Sequence, residues 1–273
     1  MNAFETIIYQ KRDSIAYITL NRPQALNAVN IKMRDELYEV LPAIDDDPEV
    51  LLAILNGAGE RGFSAGADVT EFGTVPSQAI GRQVRWERDL WGQFLSVSKP
   101  LIVAIHGFAM GAGVEMAMCC DIRIASDDAR FGLPEVGIGM VPTAGGSQTM
   151  PRLVPLGMAA APILTGETID AVEALRIGLL HRIVPRADLF STAESVAHKI
   201  MSRGQIAVRC AKEAIKRGLD LALDQGLEME HKLFAMVLNT EDAREGIRAL
   251  REGRSPRFTN QAKRVKWGVK WTK

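Results

Sequence analysis

LIVAIHGFAMGAGVEMAMCCDIRIA, residues 101 to 125, decides how the chain is to be read. It begins as a continuous apolar run, Leu101 to Ile105, the mark of a strand buried on both faces. Small residues follow: Gly107, then Gly111, Ala112 and Gly113. The run from Val114 to Cys120 has no polar face, so it reads as a buried helix. IRIA (122–125) is another buried strand. Strand, glycine turn, helix and strand together give an α/β pattern. One residue does not fit. Glu115 places a carboxylate inside the apolar helix, and Glu is almost never fully buried unless something pairs with it or uses it.

Outward from this stretch the pattern continues. IIY (7–9) and IAYITL (15–20) read as strands around a turn at Arg12, Asp13 and Ser14, and NRPQALNAVN is a loop broken by Pro23. Met33, Leu37, Val40, Leu41 and Ile44 lie on one face of a helix over about 31–44. VLLAILNG (50–57) is a buried strand ending in a glycine-rich loop, GERGFSAGAD. Residues 77–95 read as one helix, with Trp86, Leu90 and Phe94 at helical spacing. From about Pro155 the chain is mainly helical, punctuated by Gly166, Gly178 and Gly218. No strong linker separates the halves, so the division is drawn between residues 1–190, an α/β core, and 191–273, a helical region.

The 273 residues are 47% hydrophobic and 24% charged, with equal numbers of basic and acidic side chains, 33 each. This is globular composition, and its lack of net charge gives no overall field to recruit nucleic acid or membrane. The three cysteines, Cys119, Cys120 and Cys210, have neither metal-ligand spacing nor a disulfide framework, which fits buried thiols in a reducing, cytoplasmic compartment. MNAFETIIYQKRDS lacks a signal-peptide pattern, and no window is apolar enough to span a membrane.

Three glycine motifs compete for attention. GAGERG (57–62) matches G-x-G-x-x-G literally, but a dinucleotide fingerprint needs a helix to begin inside it, and here more loop follows. It reads as a turn. In GFSAGAD (62–68), Gly66 permits a sharp turn and close backbone approach, with small Ala65 and Ala67 beside it. In HGFAMGAGVEM (106–116), small residues precede a helix whose first N–H groups are unpaired and aimed forward, where a carbonyl could reach them. RFGLPEVGIGMVP then supplies a second carboxylate in apolar, glycine-rich surroundings, Glu135. Two such carboxylates are the ordinary equipment for moving protons.

Together, NRPQALNAVN, GFSAGADVTEF, KPLIVAIHGFAMGAGVEMAMCCDIRIA, FGLPEVGIGMVPTAGGSQ and LTGETIDAVEALRIGLLHRIV resemble the crotonase superfamily, the enoyl-CoA hydratases and isomerases, from about Phe4 to Phe258. The resemblance implies a crotonase-like spiral of ββα turns with a helical C-terminal trimerisation region. It implies an acyl-CoA thioester substrate whose thioester oxygen is held by two backbone N–H groups, those of Ala67 and Ala112. The catalytic glutamates of the hydratases fall on Glu115 and Glu135, and contacts to the substrate and its CoA portion on Ala25, Ala65, Asp68, Val69, Thr70 and Gly111. The implied reaction is reversible hydration of a 2-enoyl-CoA to a 3-hydroxyacyl-CoA, as in fatty acid metabolism, with no metal and no cofactor apart from the coenzyme A of the substrate. A homotrimer or dimer of trimers is implied as well.

Some positions depart from the family pattern. Thr143 stands where Gly is usual, Thr149 and Met150 where an Arg-Leu pair is common, and Val103 where a smaller residue is. Trp86 and Trp91 are read as core, with a lining of the acyl pocket as the alternative. The tail RFTNQAKRVKWGVKWTK interleaves Lys263, Arg264, Lys266, Lys270 and Lys273 with Trp267 and Trp271. It reads as a solvated or subunit-packing segment, and contact with CoA phosphates or with RNA are the alternatives. The rivals to a hydratase are an isomerase of the same family and, in another class, an RNA-binding protein that uses this tail.

Overall fold

The computed structural model describes residues 4–260, and the chain divides into two units after Ala197. The first unit opens with an antiparallel pair, β1 (Ile7–Arg12) and β2 (Ile15–Leu20), which turns on Asp13 and Ser14 at positive φ. A 3-10 turn at Pro23–Ala25 leads to α1 (Ile31–Asp46). Asn30 caps α1 by accepting the Met33 N–H, and Met33, Leu37, Val40, Leu41 and Ile44 form its buried face. The far end is held by Lys99, a fully buried lysine whose Nζ donates to the Ile44 and Asp47 carbonyls at 2.6 and 2.5 Å.

A repeating turn follows: a long strand, a short strand, then helix. β3 (Leu52–Gly57) leads to β4 (Gly62–Ser64), α2 (Gln78–Glu87) and α3 (Leu90–Ser96). β5 (Leu101–Ile105) leads to β6 (Phe108–Met110) and α4 (Ala112–Cys119). β7 (Ile122–Ser126) leads to β8 (Arg130–Gly132), a 3-10 turn at Pro134–Ile138, α5 (Gly146–Leu153) and α6 (Leu156–Thr165). After β9 (Ile169–Asp170), α7 (Ala171–Arg176) and β10 (Arg182–Val184) comes α8 (Leu189–Met201), which crosses the division. The long strands and the three-residue β10 form one sheet, β1-β2-β3-β5-β7-β10, parallel from β2 onward, and the other short ones a second, β4-β6-β8-β9. This is the spiral of ββα turns expected from the resemblance. Its inner strands β2, β3, β5 and β7 are buried almost throughout, all five residues of β5 among them, whereas the edge strand β1 is largely exposed.

The second unit contains α9 (Gln205–Gly218), α10 (Leu223–Leu238) and α11 (Glu241–Arg251). Its small core gathers Ile206, Cys210 and Leu233 with Ala214, Met229 and Val237. Buried Asp242 ties down the chain beyond α11 by accepting the N–H groups of Thr259 and Asn260.

Two expectations change. The helix over 77–95 is two helices, because the Asp89 side chain accepts the Gly92 N–H and so caps a new helix. Trp86 therefore leaves the face of Leu90 and Phe94 and is 63% exposed, whereas Trp91 packs against the core and stacks on Phe94. The boundary drawn at 190/191 falls inside α8. The three cysteines are buried, and none forms a disulfide among the described residues. Among the described residues no helix is long and apolar enough to cross a membrane. The basic, tryptophan-containing tail from Lys263 to Lys273 lies outside the described residues.

Candidate active site

The two loops of small residues meet. Gly66 has φ +101°, and a side chain there would begin 2.8 Å from the Met110 carbonyl oxygen and 3.5 Å from the Ala112 nitrogen. Only glycine allows that approach. A side chain at Gly113 would strike the Ser64 backbone oxygen at 2.8 Å, so the first turn of α4 also lies directly on the β4 strand end. Ala67 and Ala112 each follow one of these contacts. Ala67 forms a parallel bridge with Val29 in which the Gly66 carbonyl and the Asp68 N–H do the bonding, so its own N–H points away from Val29. Ala112 is the first residue of α4, whose N–H has no acceptor within the helix. Neither N–H has a hydrogen-bond partner among the described residues.

The loop that carries Ala67 is stitched by residues that sequence reasoning left without a role. Asn27, fully buried at φ +54°, accepts the Arg22 N–H and donates to the Ala58 and Gly62 carbonyls. Ser64 Oγ donates to the Asn27 carbonyl and accepts the Gly66 N–H. Arg22 bridges the Ala28 carbonyl and Asp68. The signal was present in NRPQALNAVN as polar side chains among small and apolar ones, but their partners lie some 30 to 46 residues away.

This stitching gathers several expected substrate contacts at one seam. Ala65 donates its N–H to the Leu26 carbonyl, which places it beside Ala25. The Asp68 carboxylate is committed to Arg22 at 2.9 Å and to the N–H and hydroxyl of Thr70, which hold its pKa below the ordinary value. Val69 and Thr70 are exposed.

The two glutamates come from different elements, and each meets Gly111 in its own way, Glu115 through its backbone N–H and Glu135 through its carboxylate. Glu115, only 2% exposed on α4, receives at Oε1 the Ala144 N–H at 2.9 Å and the Gly146 N–H at 2.7 Å. Its own N–H donates to the Gly111 carbonyl. Gly146 is the first residue of α5, and Gly145 before it has φ +104°, so a tight turn at a helix start holds the carboxylate. Glu135 approaches from the 3-10 turn after β8. Its Oε1 lies where a side chain on Gly111 would intrude to 2.9 Å, and Gly111, with φ +49°, leaves that space open. Glu135 Oε2 is buried without a hydrogen-bond partner. Burial pushes this carboxyl above the usual carboxylate value, and its own backbone N–H offsets that only in part. One carboxylate is thus clamped by two donors, and the other is desolvated and left unsatisfied. Groups whose environments differ in this way can divide acid from base work.

Of the other positions, Thr143 is exposed, next to Ala144, and the Thr149 hydroxyl donates to the Gly145 carbonyl one turn along α5. GAGERG joins β3 to β4 with no helix starting in it.

Known proteins carry the same arrangement of chain. A family model described as enoyl-CoA hydratase/isomerase matches residues 10–261. The chain is 43% identical over 254 residues to the short-chain-enoyl-CoA hydratase of Clostridium acetobutylicum, covering 91% of this chain and 95% of that protein. It is 38% identical over 259 residues to the crotonyl-CoA hydratase of Syntrophomonas wolfei, covering 95% and 100%. The crystal structure of an enoyl-CoA hydratase from Bacillus anthracis superposes with a TM-score of 0.89 at 36% identity, over 94% of this chain and all of that one. With a family match over nearly its whole length, and relatives this similar over nine-tenths of theirs, the chain belongs to the enoyl-CoA hydratase/isomerase family.

Proposed function

We propose that the protein is an enoyl-CoA hydratase that adds water across the double bond of a short 2-enoyl-CoA to give a 3-hydroxyacyl-CoA. The observation that carries this reading is an unlike pair of buried carboxylates, Glu115 held by two amides and Glu135 desolvated. The names of the similar hydratases support the substrate class.

An isolated alkene resists water. Conjugation to a thioester makes C3 electrophilic, because the electrons of the double bond can move onto the carbonyl oxygen. In this reading the Ala67 and Ala112 N–H groups receive that oxygen, each worth roughly 2.7–4 kcal/mol once the charge develops. The α4 N-terminus behind Ala112 adds favourable potential. Glu115, whose Oε1 already accepts two donors, takes the proton of a water that attacks C3. Glu135, whose burial favours the protonated form, delivers its proton to C2. The product gains one water, and the two carboxyls exchange roles for the reverse reaction. The chemistry asks for no cofactor beyond the CoA of the substrate. Homotrimeric assembly, or a pair of trimers, is part of the proposal; exposed Leu219, Leu223, Phe234 and Leu238 in the helical unit support it.

The test is a panel of 2-enoyl-CoA and 3-enoyl-CoA thioesters, followed by the absorbance of the conjugated thioester. Glu115→Gln and Glu135→Gln should each lower hydration by about 10²–10⁴-fold. If Glu115→Gln hydrates at the wild-type rate, or spares double-bond migration in 3-enoyl-CoA that Glu135→Gln abolishes, the protein is an isomerase working with one carboxylate.

A further inference from the structure

Two N–H groups can share one oxygen only if they keep a fixed spacing, and Ala67 and Ala112 come from different elements. The ladder between β4 and β6 ends where Ser64 pairs with Ala109, before either donor is reached. Beyond it, one residue touches both donor-bearing segments. Ser64 is the last residue of β4 and is fully buried. Its Oγ accepts the Gly66 N–H at 3.2 Å, a two-residue reach that fixes the turn leading into Ala67. The same Oγ donates to the Asn27 carbonyl at 2.9 Å. Fully buried Asn27 is anchored in turn by its bonds to the Ala58 and Gly62 carbonyls. The other segment meets Ser64 at Gly113, next to Ala112. A Cβ on Gly113 would begin 2.8 Å from the Ser64 carbonyl oxygen, 2.9 Å from its Cβ and 3.2 Å from its Oγ. The first turn of α4 therefore rests on Ser64 itself.

We infer that Ser64 is a positioning residue that sets the spacing of the Ala67 and Ala112 N–H groups: its hydroxyl holds the loop of the first, and its backbone and Cβ seat the helix that carries the second. The inference rests on the proposed use of these two N–H groups on a thioester oxygen. Without the hydroxyl, the Gly66 N–H and the Asn27 carbonyl would each lose a partner in a buried place, and the turn would shift to find another. A donor that has drifted still meets a neutral carbonyl, but it stabilises a charged oxygen much less. The loss therefore falls on the transition state rather than on binding of the substrate.

The test compares Ser64→Ala with Ser126→Ala in the full chain. Ser126 is an equally buried serine, on β7, whose hydroxyl bonds Ile105 and Asp128 away from the donors. Three quantities are read: kcat and KM for 2-enoyl-CoA, the enolate absorbance of a bound short 3-oxoacyl-CoA, and thermal unfolding. The 3-oxoacyl thioester has an acidic C2–H, so its enolate puts full negative charge where the two N–H groups point. Ser64→Ala should lower kcat and the enolate-to-keto ratio about tenfold each, with KM within about threefold. Ser126→Ala should lower Tm comparably yet keep kcat and the enolate ratio within about twofold. Ser64→Cys retains a weak donor and should fall between Ser64→Ala and the wild type, and it carries the comparison if Ser64→Ala does not fold. A wild type that hydrates no 2-enoyl-CoA but enolises the 3-oxoacyl-CoA in a Ser64-dependent way would sink the hydratase reading and support this one. The inference is overturned if the Ser64 variants keep kcat and the enolate ratio at wild-type values, or if Ser126→Ala loses as much of both. It is overturned together with the donor pair if the wild type leaves the bound thioester in its keto form.

Discussion

Replacing Gly146 with Ala tests whether Glu115 must sit where the two amides hold it. The added methyl would begin 2.9 Å from Glu115 Oε1, 2.9 Å from Pro142 Cβ and 3.2 Å from Glu115 Cγ. Comfortable carbon contacts lie at about 3.5–4.0 Å, so the carboxylate or the turn must retreat by roughly half an ångström to an ångström. Gly146 already has the backbone of a helix's first residue, so the substitution adds no dihedral strain. What gives is the 2.7 Å bond from the Gly146 N–H, and with it the aim of the carboxylate. A hydrogen bond to a charged group is worth about 1.5–3 kcal/mol, and misplacing a reacting group by about 1 Å can cost about 10²-fold. We expect kcat for 2-enoyl-CoA hydration to fall about 10- to 100-fold while KM moves less than about threefold, because the loops of Ala67 and Ala112 are untouched. Crowding should also lower stability by about 1–3 kcal/mol. Initial rates over a substrate series, paired with thermal unfolding, separate the two effects. A lower Tm with kcat unchanged would mean that the clamp only supports the fold, and the assignment of Glu115 as the base would lose its geometric basis.

Three further outcomes follow from the same structure. In Glu135→Gln, the cost of ionising a desolvated carboxyl disappears; because that pKa is raised in the folded state, the wild type should match the variant below the ordinary carboxylate pKa and become the less stable as pH rises toward neutrality, as calorimetry across pH would read. A wild type that is the more stable at neutral pH would contradict the burial argument. Ala112→Gly should keep most hydration activity, since only the N–H is used, whereas Ala112→Val should suppress it by crowding the thioester; equal rates in the two variants would remove Ala112 from the site. Lys99→Met should strip the carbonyls of Ile44 and Asp47 of a buried donor and destabilise the protein by about 2–5 kcal/mol in urea unfolding, with kcat/KM intact; a change below about 0.5 kcal/mol would show that α1 needs no such cap.

The long strands and the buried α4 helix were legible because burial on both faces leaves an unbroken apolar run, as in Leu101 to Ile105. The short strands were not. Gly62–Ser64, Phe108–Met110 and Arg130–Gly132 are three residues each, too short to carry an alternation, and they exist only because the spiral brings them side by side. The break between α2 and α3 was missed for a related reason. Helical spacing of Trp86, Leu90 and Phe94 persists across Asp89, and only the cap made by its side chain shows that the register is lost there.

At the candidate site, sequence pattern located the anomaly and the structure supplied its cause. Glu115 stood out as one charge in an apolar helix, but nothing local could say what met it; its donors, Ala144 and Gly146, lie about thirty residues on and act through their backbone, which leaves no trace in residue type. The glycines are the exception. Gly66 and Gly111 were legible as small residues beside a carbonyl-sized space, and each is now required by a named neighbour: the Met110 carbonyl for one, the Glu135 carboxyl for the other. A side chain at Gly66 would press on the Met110 carbonyl beside Ala112, and one at Gly111 on the Glu135 carboxyl. The desolvated Glu135 therefore depends on the absent side chain at Gly111, and the clamped Glu115 on the one absent at Gly146.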